Sequence, residues 1–422
     1  MSGTESAAAE WRRSWYVPLA AALGYATSVL HVYSLGPFIG ALTHEFGWSR
    51  AQASFGLTIA ALTSAIFCIP IGMAVDRIGP RRIGLLGIPV MCAAFAAMST
   101  ATGTMANWIA LWGVIAIGTF CIQATVWTSA VASRFATSRG FAFAITLSGA
   151  SFAASLFPLF ATWLIGSYGW RTAYIAMGGI WAAFVLPLLL IFFHSASDQR
   201  RKQPIATAPA VSAQTGMTFA EGIRSPILYK LLLAAGLFAF TAIGAVVHFV
   251  PILTDSGATP LSAAGIASLI GIFSIIGRLG TGFLLDKFPG HVVGGCAFLI
   301  PIIGCVLLLV DGTNPVSQAI AAAILGLTVG SEVDVIAYLA AKHFGLKNFG
   351  ALYGVLQMAL GLGTAFGPLA AGAVFDRYQS YAPFLMLTTV LMAASAIALF
   401  TLTSHSTLGR ASTLNASGAP AE

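Results

Sequence analysis

The chain has 422 residues, 58% of them apolar and 8% charged, with a net charge of +7. Soluble domains carry roughly a quarter charged residues, so this composition, with a mean hydropathy of +0.89, excludes an ordinary soluble enzyme or binding module and indicates a membrane protein. The basic pI near 9.3 is explained by loop charges that set topology and meet anionic headgroups, not by nucleic acid.

Residues 1–16 are polar and hold Glu5, Glu10, Arg12 and Arg13. They read as a tail, not a cleavable signal, because the apolar run from Val17 is too long for one. A bilayer span needs roughly 20 mostly apolar residues. Breakers and charges mark six spans at about 17–40, 51–73, 83–102, 108–131, 140–165 and 172–193. Six more follow at about 228–252, 262–285, 292–310, 316–341, 350–374 and 381–403. Every backbone amide in hydrocarbon must bond within its own segment, and strand-length alternation is absent, so the fold class is an all-α membrane protein of twelve transmembrane helices. The five cysteines lie in apolar runs without metal-ligand spacing. No metal or cofactor is expected.

Of the 20 Lys and Arg residues, Arg50, Arg171 and Arg377 fall on one side and Arg278 falls within a span; the other 16 lie on the opposite side. The positive side is cytoplasmic, which places both termini and the linker there. An internal repeat runs through the chain at an offset of 210 residues. Gly47 matches Gly257, Gly72 matches Gly282, Asp76 matches Asp286, Arg77 matches Lys287, Gly140 matches Gly350 and Pro158 matches Pro368. The expected organisation is a tail (1–16), a six-helix bundle (17–193), a linker (194–227), a second bundle (228–403) and a C-terminal tail (404–422). Two parallel halves with a ligand held between them are a recognised transporter design.

The loop after span 2 reads Gly72-Met-Ala-Val-Asp76-Arg77-Ile-Gly79-Pro-Arg81-Arg82. A small residue permits close helix contact, Asp76 can cap a neighbouring helix end, and the arginines meet headgroups. This stretch resembles the loop signature of the major facilitator superfamily, and Gly282 to Gly290, with Asp286, resembles its degenerate second copy. The resemblance covers nearly the whole chain and implies two pseudo-symmetric six-helix bundles. Arg134-Phe135 with Arg139-Gly140 and Gly149, together with Gly277-Arg278-x-x-x-Gly282, are similar to the monocarboxylate porters and the bacterial oxalate/formate antiporters. Both groups place a carboxylate-binding arginine where Arg278 stands. The aspartate often found one turn earlier in the porters is Ser274 here, and the span 11 lysine of the oxalate/formate group is missing. One buried cation therefore suits one carboxylate better than two.

Charges at membrane depth cost at least a few kcal/mol and are functional by default. Arg278 lies about 12 Å up its helix from Asp286, and Glu332 and Asp334 lie about 15 and 12 Å from Lys342, by a rise of 1.5 Å per residue. The three share a depth. Arg278 is read as the anchor for a substrate carboxylate through its guanidinium fork, or as half of a structural ion pair. Glu332 or Asp334 is its partner and the proton carrier; they are about 200° apart around a helix, and side-chain reach favours Glu332. The resemblance implies that spans 1, 4, 7 and 10 line the central path. Span 4 offers Thr119, Gln123 and Trp127 as a polar and aromatic stripe at i, i+4 and i+8, read as a substrate wall or as interhelical glue. Span 1 offers Tyr25, His31 and Tyr33, with His31 a second proton site; span 7 offers His248, and span 11 offers Tyr353 and Gln357.

The expected function is proton-coupled symport of a monocarboxylate by alternating access, with a carboxylate exchanger or an aromatic-acid transporter as alternatives. An anion channel is the alternative of a different class, although a single buried cation argues against multi-site conduction. No nucleophile–base pair indicates an enzyme. The expected partners are a small organic anion, protons and the lipid bilayer. The chain is expected to work as a monomer in a bacterial inner membrane.

Overall fold

The computed structural model describes residues 7–135, 137–194, 216–345 and 347–402; at 7, 65, 68–76, 139 and 349 it describes the backbone alone. The end tails beyond these limits and linker positions 195–215 lie outside the described residues.

Among the described residues, eleven helical segments are long and apolar enough to cross a bilayer. Arg50–Ile78, a helix of 29 residues, adds another at the position of span 2. In the first half span 1 is Tyr16–Phe46, span 3 is Pro80–Thr100, span 4 is Met105–Ala132, span 5 is Arg139–Tyr168 and span 6 is Trp170–Phe192. In the second half spans 7 to 12 are Pro226–Asp255, Pro260–Lys287, Gly290–Asp311, Pro315–Phe344, Phe349–Tyr378 and Ala382–Phe400.

Local chemistry sets these limits. Spans 7, 8 and 10 begin at Ser225, Thr259 and Asn314, whose side chains accept from the first-turn amides of Ile227, Ser262 and Val316. Each of these caps is followed by proline, whose missing N–H costs nothing at the first helical position. The repeat extends to helix limits, because Arg139–Tyr168 and Phe349–Tyr378 begin and end 210 positions apart. Gly47 and Gly257 both take positive φ, 66° and 98°, at the ends of spans 1 and 7. Glycine reaches that conformation without a Cβ penalty.

The apolar interior gathers in two large clusters, one from Val17 to Phe193 joined by Val247, the other from Leu228 to Leu402. The halves meet where span 2 packs on span 11 and span 5 on span 8. Large apolar side chains such as Ile180, Phe184, Val390 and Ile397 are exposed on the outside, as a lipid-facing surface requires.

Three spans expected as single helices are interrupted. Span 1 breaks at Val29, span 4 at Cys121 to Gln123 and span 9 at Ile300. Two short helices, Ala7–Ser14 and Phe219–Arg224, precede the halves in segments whose polarity suggested tail and linker. Glu10 accepts from the amides of Thr137 and Ser138 at 2.9 and 3.0 Å, tying the first short helix to the start of span 5. The second is closed by a capping box between Thr218 and Glu221.

Candidate functional site

Spans 8 and 10 approach unusually closely because glycines face backbone. A Cβ built on Gly277 would lie 2.0 Å from the Leu327 carbonyl oxygen, and one on Gly330 2.0 Å from that of Ser274. Gly326 faces the Ile270 carbonyl in the same way. Gly326-x-x-x-Gly330 is the small-residue spacing that brings membrane helices together, a legible signal that the sequence reading did not use. Thr281 and Ser331 hydrogen-bond across this junction at 2.6 Å.

The close approach decides which acid meets the arginine. Arg278 Nη1 donates to both carboxylate oxygens of Asp334, at 3.1 and 3.2 Å. The Arg278 side chain is 9% exposed and that of Asp334 29%, so the acid is the wetter partner. Glu332, favoured above by reach, does not form this pair. It is buried, lies within electrostatic range of Tyr33 and Tyr353, and its Oε1 has no partner among the described residues. Arg278 Nε is also buried without a partner among the described residues, which leaves part of the guanidinium fork unused by them.

Three phenols lie near the pair. Tyr25 and Tyr353 lie within electrostatic range of Arg278 and Asp334, and Tyr33 within range of Tyr25, Arg278 and Glu332. Span 1 and span 11 therefore bring tyrosines from both halves to one place. Gln357 follows Tyr353 by one turn and is exposed. Ser274, one turn before Arg278, hydrogen-bonds Ser151 of the other half at 2.7 Å. His31 is buried with its ring edge-on to Trp112 at 6.0 Å, and its Nδ1 has no partner among the described residues.

The span 4 stripe does not hold, because the helix breaks inside it. Thr119 is buried, donates to the Ala116 carbonyl and pairs with Ser64 at 3.0 Å. Gln123 is the N-cap of the second piece, Ala124–Ala132. Trp127 is fully buried and packs on Phe193, and a Cβ at Gly24 would overlap its ring. It belongs to the core of the first half, not to a substrate wall. Its indole N–H donates to the Ile122 carbonyl at 2.8 Å, satisfying a backbone group that the break frees. Shifted by 210 positions, Glu332 and Asp334 fall on Ile122 and Ala124. The acids of one half thus occupy the level at which the matching helix of the other is interrupted, and discontinuous helices at that level are a feature of transporter sites.

In the loop signature, Arg81 donates to the Leu190 carbonyl at 2.9 Å, capping the end of span 6. Gly79 takes φ 97° before Pro80, a left-handed turn suited to glycine. Arg77, Arg82 and Asp286 are exposed. Positions 72 and 76 fall outside the described side chains. His248 is fully buried and lies in another polar cluster, bonded to Ser54, Tyr381 and the Pro368 carbonyl.

The family model of the Major Facilitator Superfamily matches residues 21–368. The chain belongs to this superfamily. Curated relatives include the uncharacterised superfamily transporter YhjX of Escherichia coli, 24% identical over 79% of this chain and 81% of that protein. Monocarboxylate transporter 13 of Bos taurus is 23% identical over 91% of this chain and 88% of its own length. Among solved structures, a bacterial homologue of the human lysosomal transporter Spinster, inward-facing and unoccupied, superposes with a TM-score of 0.66. That likeness has 18% identity over 96% of this chain and 99% of the other, and shows the superfamily fold. The chain is therefore a multi-pass membrane transporter of that fold.

Proposed function

We propose that the protein carries a small monocarboxylate together with a proton, by alternating access between two six-helix bundles, residues 17–193 and 228–403. The observation that carries this reading is the Arg278–Asp334 pair between two helices long and apolar enough to cross a bilayer. An anion that reaches the free edge of Arg278 adds a negative charge to a neutral pair. Uncompensated charge there costs at least a few kcal/mol, and a proton on Asp334 restores neutrality while freeing Arg278 for a bidentate contact. Each event favours the other, which is coupling in the thermodynamic sense. Glu332, with one unpartnered carboxylate oxygen, is a second place to hold a proton, and His31 a third.

Tyr25, Tyr33 and Tyr353 supply hydroxyl donors and apolar ring faces around the anion, with Gln357 completing the wall. The relatives named as monocarboxylate transporters support the same substrate class. The distribution of Lys and Arg supports cytoplasmic termini, and the expected setting is a bacterial inner membrane, with one chain sufficient for activity.

Reconstituted protein tests this. Labelled monocarboxylate uptake into proteoliposomes should saturate, respond to an inward proton gradient and collapse in Arg278→Lys, whose charge remains but whose planar fork is lost. Unsaturable conductance, or full uptake by a well-folded Arg278→Lys, overturns the proposal.

A further inference from the structure

The end of the bundle opposite the linker holds a second polar cluster that joins the two halves. Arg50 opens span 2 in the first half, while Asp255 closes span 7 and Asp376 lies in the last turn of span 11. Each charge sits at the wrong end of its own helix. A cation is disfavoured at a helix N-terminus and an anion at a C-terminus. The pairing across the halves reverses all three penalties. Asp376 places one carboxylate oxygen on the Arg50 amide at 2.8 Å and the other on the Ala51 amide at 2.9 Å, capping span 2. The Arg50 guanidinium takes Asp255 bidentately at 2.7 and 2.9 Å, donates to the Tyr381 hydroxyl at 2.8 Å and lies over the Phe375 ring at 3.6 Å.

Backbones touch at this point as well. A Cβ on Gly372 would lie 2.6 Å from the Ala51 nitrogen. Deeper in, His248 links span 7 to Ser54 of span 2 at 3.1 Å and to Tyr381 at 2.7 Å. Beside it, a cleft of about 380 Å³ is lined by Gly40, Arg50, Thr162 and Thr254 among apolar neighbours. Deeper along spans 1, 5, 7 and 8 a smaller cavity is lined by Tyr33, Ala154, Val250 and Ala267.

We propose that Asp376 and Arg50, with Asp255, form a polar latch that holds shut the end of the central path opposite the linker. Charged partners at a water-facing end can exchange each other for water when the halves part, so the closure is reversible, unlike an apolar seal. The inference rests on alternating access as read above but needs no knowledge of the substrate. Its test reads accessibility alone, so it can fail while the transport reading stands, and the reverse.

The experiment uses the purified full chain with its native cysteines replaced and one reporter cysteine at a time. Ala154→Cys lies on the wall of the smaller cavity and is 2% exposed while the latch is closed; Gln357→Cys lies on the exposed face of span 11 next to Tyr353. Maleimide labelling rates are measured with and without Asp376→Asn. Loss of one charge-assisted contact should raise the Ala154→Cys rate roughly tenfold and lower the Gln357→Cys rate, because opening one end closes the other. Asp255→Asn should act in the same direction, and the exchange pair Arg50→Asp with Asp255→Arg should return both rates toward the parent. Unchanged rates in both single variants overturn the latch. So does a rise at both reporters, which marks general loosening.

Discussion

Gly277→Ala isolates the close approach of spans 8 and 10. The added methyl would stand 2.0 Å from the Leu327 carbonyl, whereas ordinary contact begins at 3.4 Å. The helices must therefore separate by more than an ångström at the level of the ion pair. Arg278 and Asp334 are joined at 3.1 and 3.2 Å, so such a shift takes them out of hydrogen-bond range. Overpacking of this kind costs about 1–3 kcal/mol. Gly280→Ala is the internal comparison, because the same methyl on the same helix meets open space and replaces glycine by a better helix former, worth about 1 kcal/mol in the opposite direction. Thermal unfolding of the two purified variants should give a midpoint lower by several degrees for Gly277→Ala. Uptake in proteoliposomes should fall in that variant alone. Equal midpoints and equal uptake would refute the reasoning, and Gly330→Ala, whose methyl would meet the Ser274 carbonyl at 2.0 Å, repeats the test from the other helix.

Four other outcomes are expected. Asp334→Asn should keep substrate binding, measured by ligand-induced thermal shift, yet weaken the response of uptake to a proton gradient; an unchanged gradient response assigns proton carriage elsewhere. Glu332→Gln should raise the thermal midpoint, because it replaces a buried carboxylate that has one unpartnered oxygen, and a lowered midpoint counts against that geometry. Glu10→Gln removes a charged cap from span 5, worth about 0.5–2 kcal/mol, and should speed tryptic cleavage at Arg12 and Arg13; an unchanged rate argues that the short helix is held otherwise. The Thr218 amide and hydroxyl hold the Glu221 carboxyl below the usual carboxylate range. The cap it forms is thus present above the ordinary glutamate value of about 4.3 and is lost as pH falls through the lower folded value. Amide exchange across 219–224, corrected for intrinsic rates, should show protection lost on acidification, and Glu221→Gln should remove that pH dependence.

The sequence by itself determined the membrane class, the positions of the spans, the internal repeat and the shared helical level of Arg278 and Asp334. These are properties that add along the chain. The cost of placing a residue in hydrocarbon sums over about 20 neighbours, and a repeat of 210 residues survives without reference to any contact. What depends on the rotation and spacing of helices was settled only in three dimensions. Asp334 rather than Glu332 meets Arg278 because Gly277 and Gly330 let two backbones touch and fix the angle between their faces. Trp127, polar enough at its indole to suggest a site, turned inward because a break in span 4 left the Ile122 carbonyl in need of a donor. The cluster of Arg50, Asp255 and Asp376 left no local pattern at all, since its members are separated by more than a hundred positions and each is disfavoured at its own helix end. Only the packing of one half against the other gives each of those charges a partner.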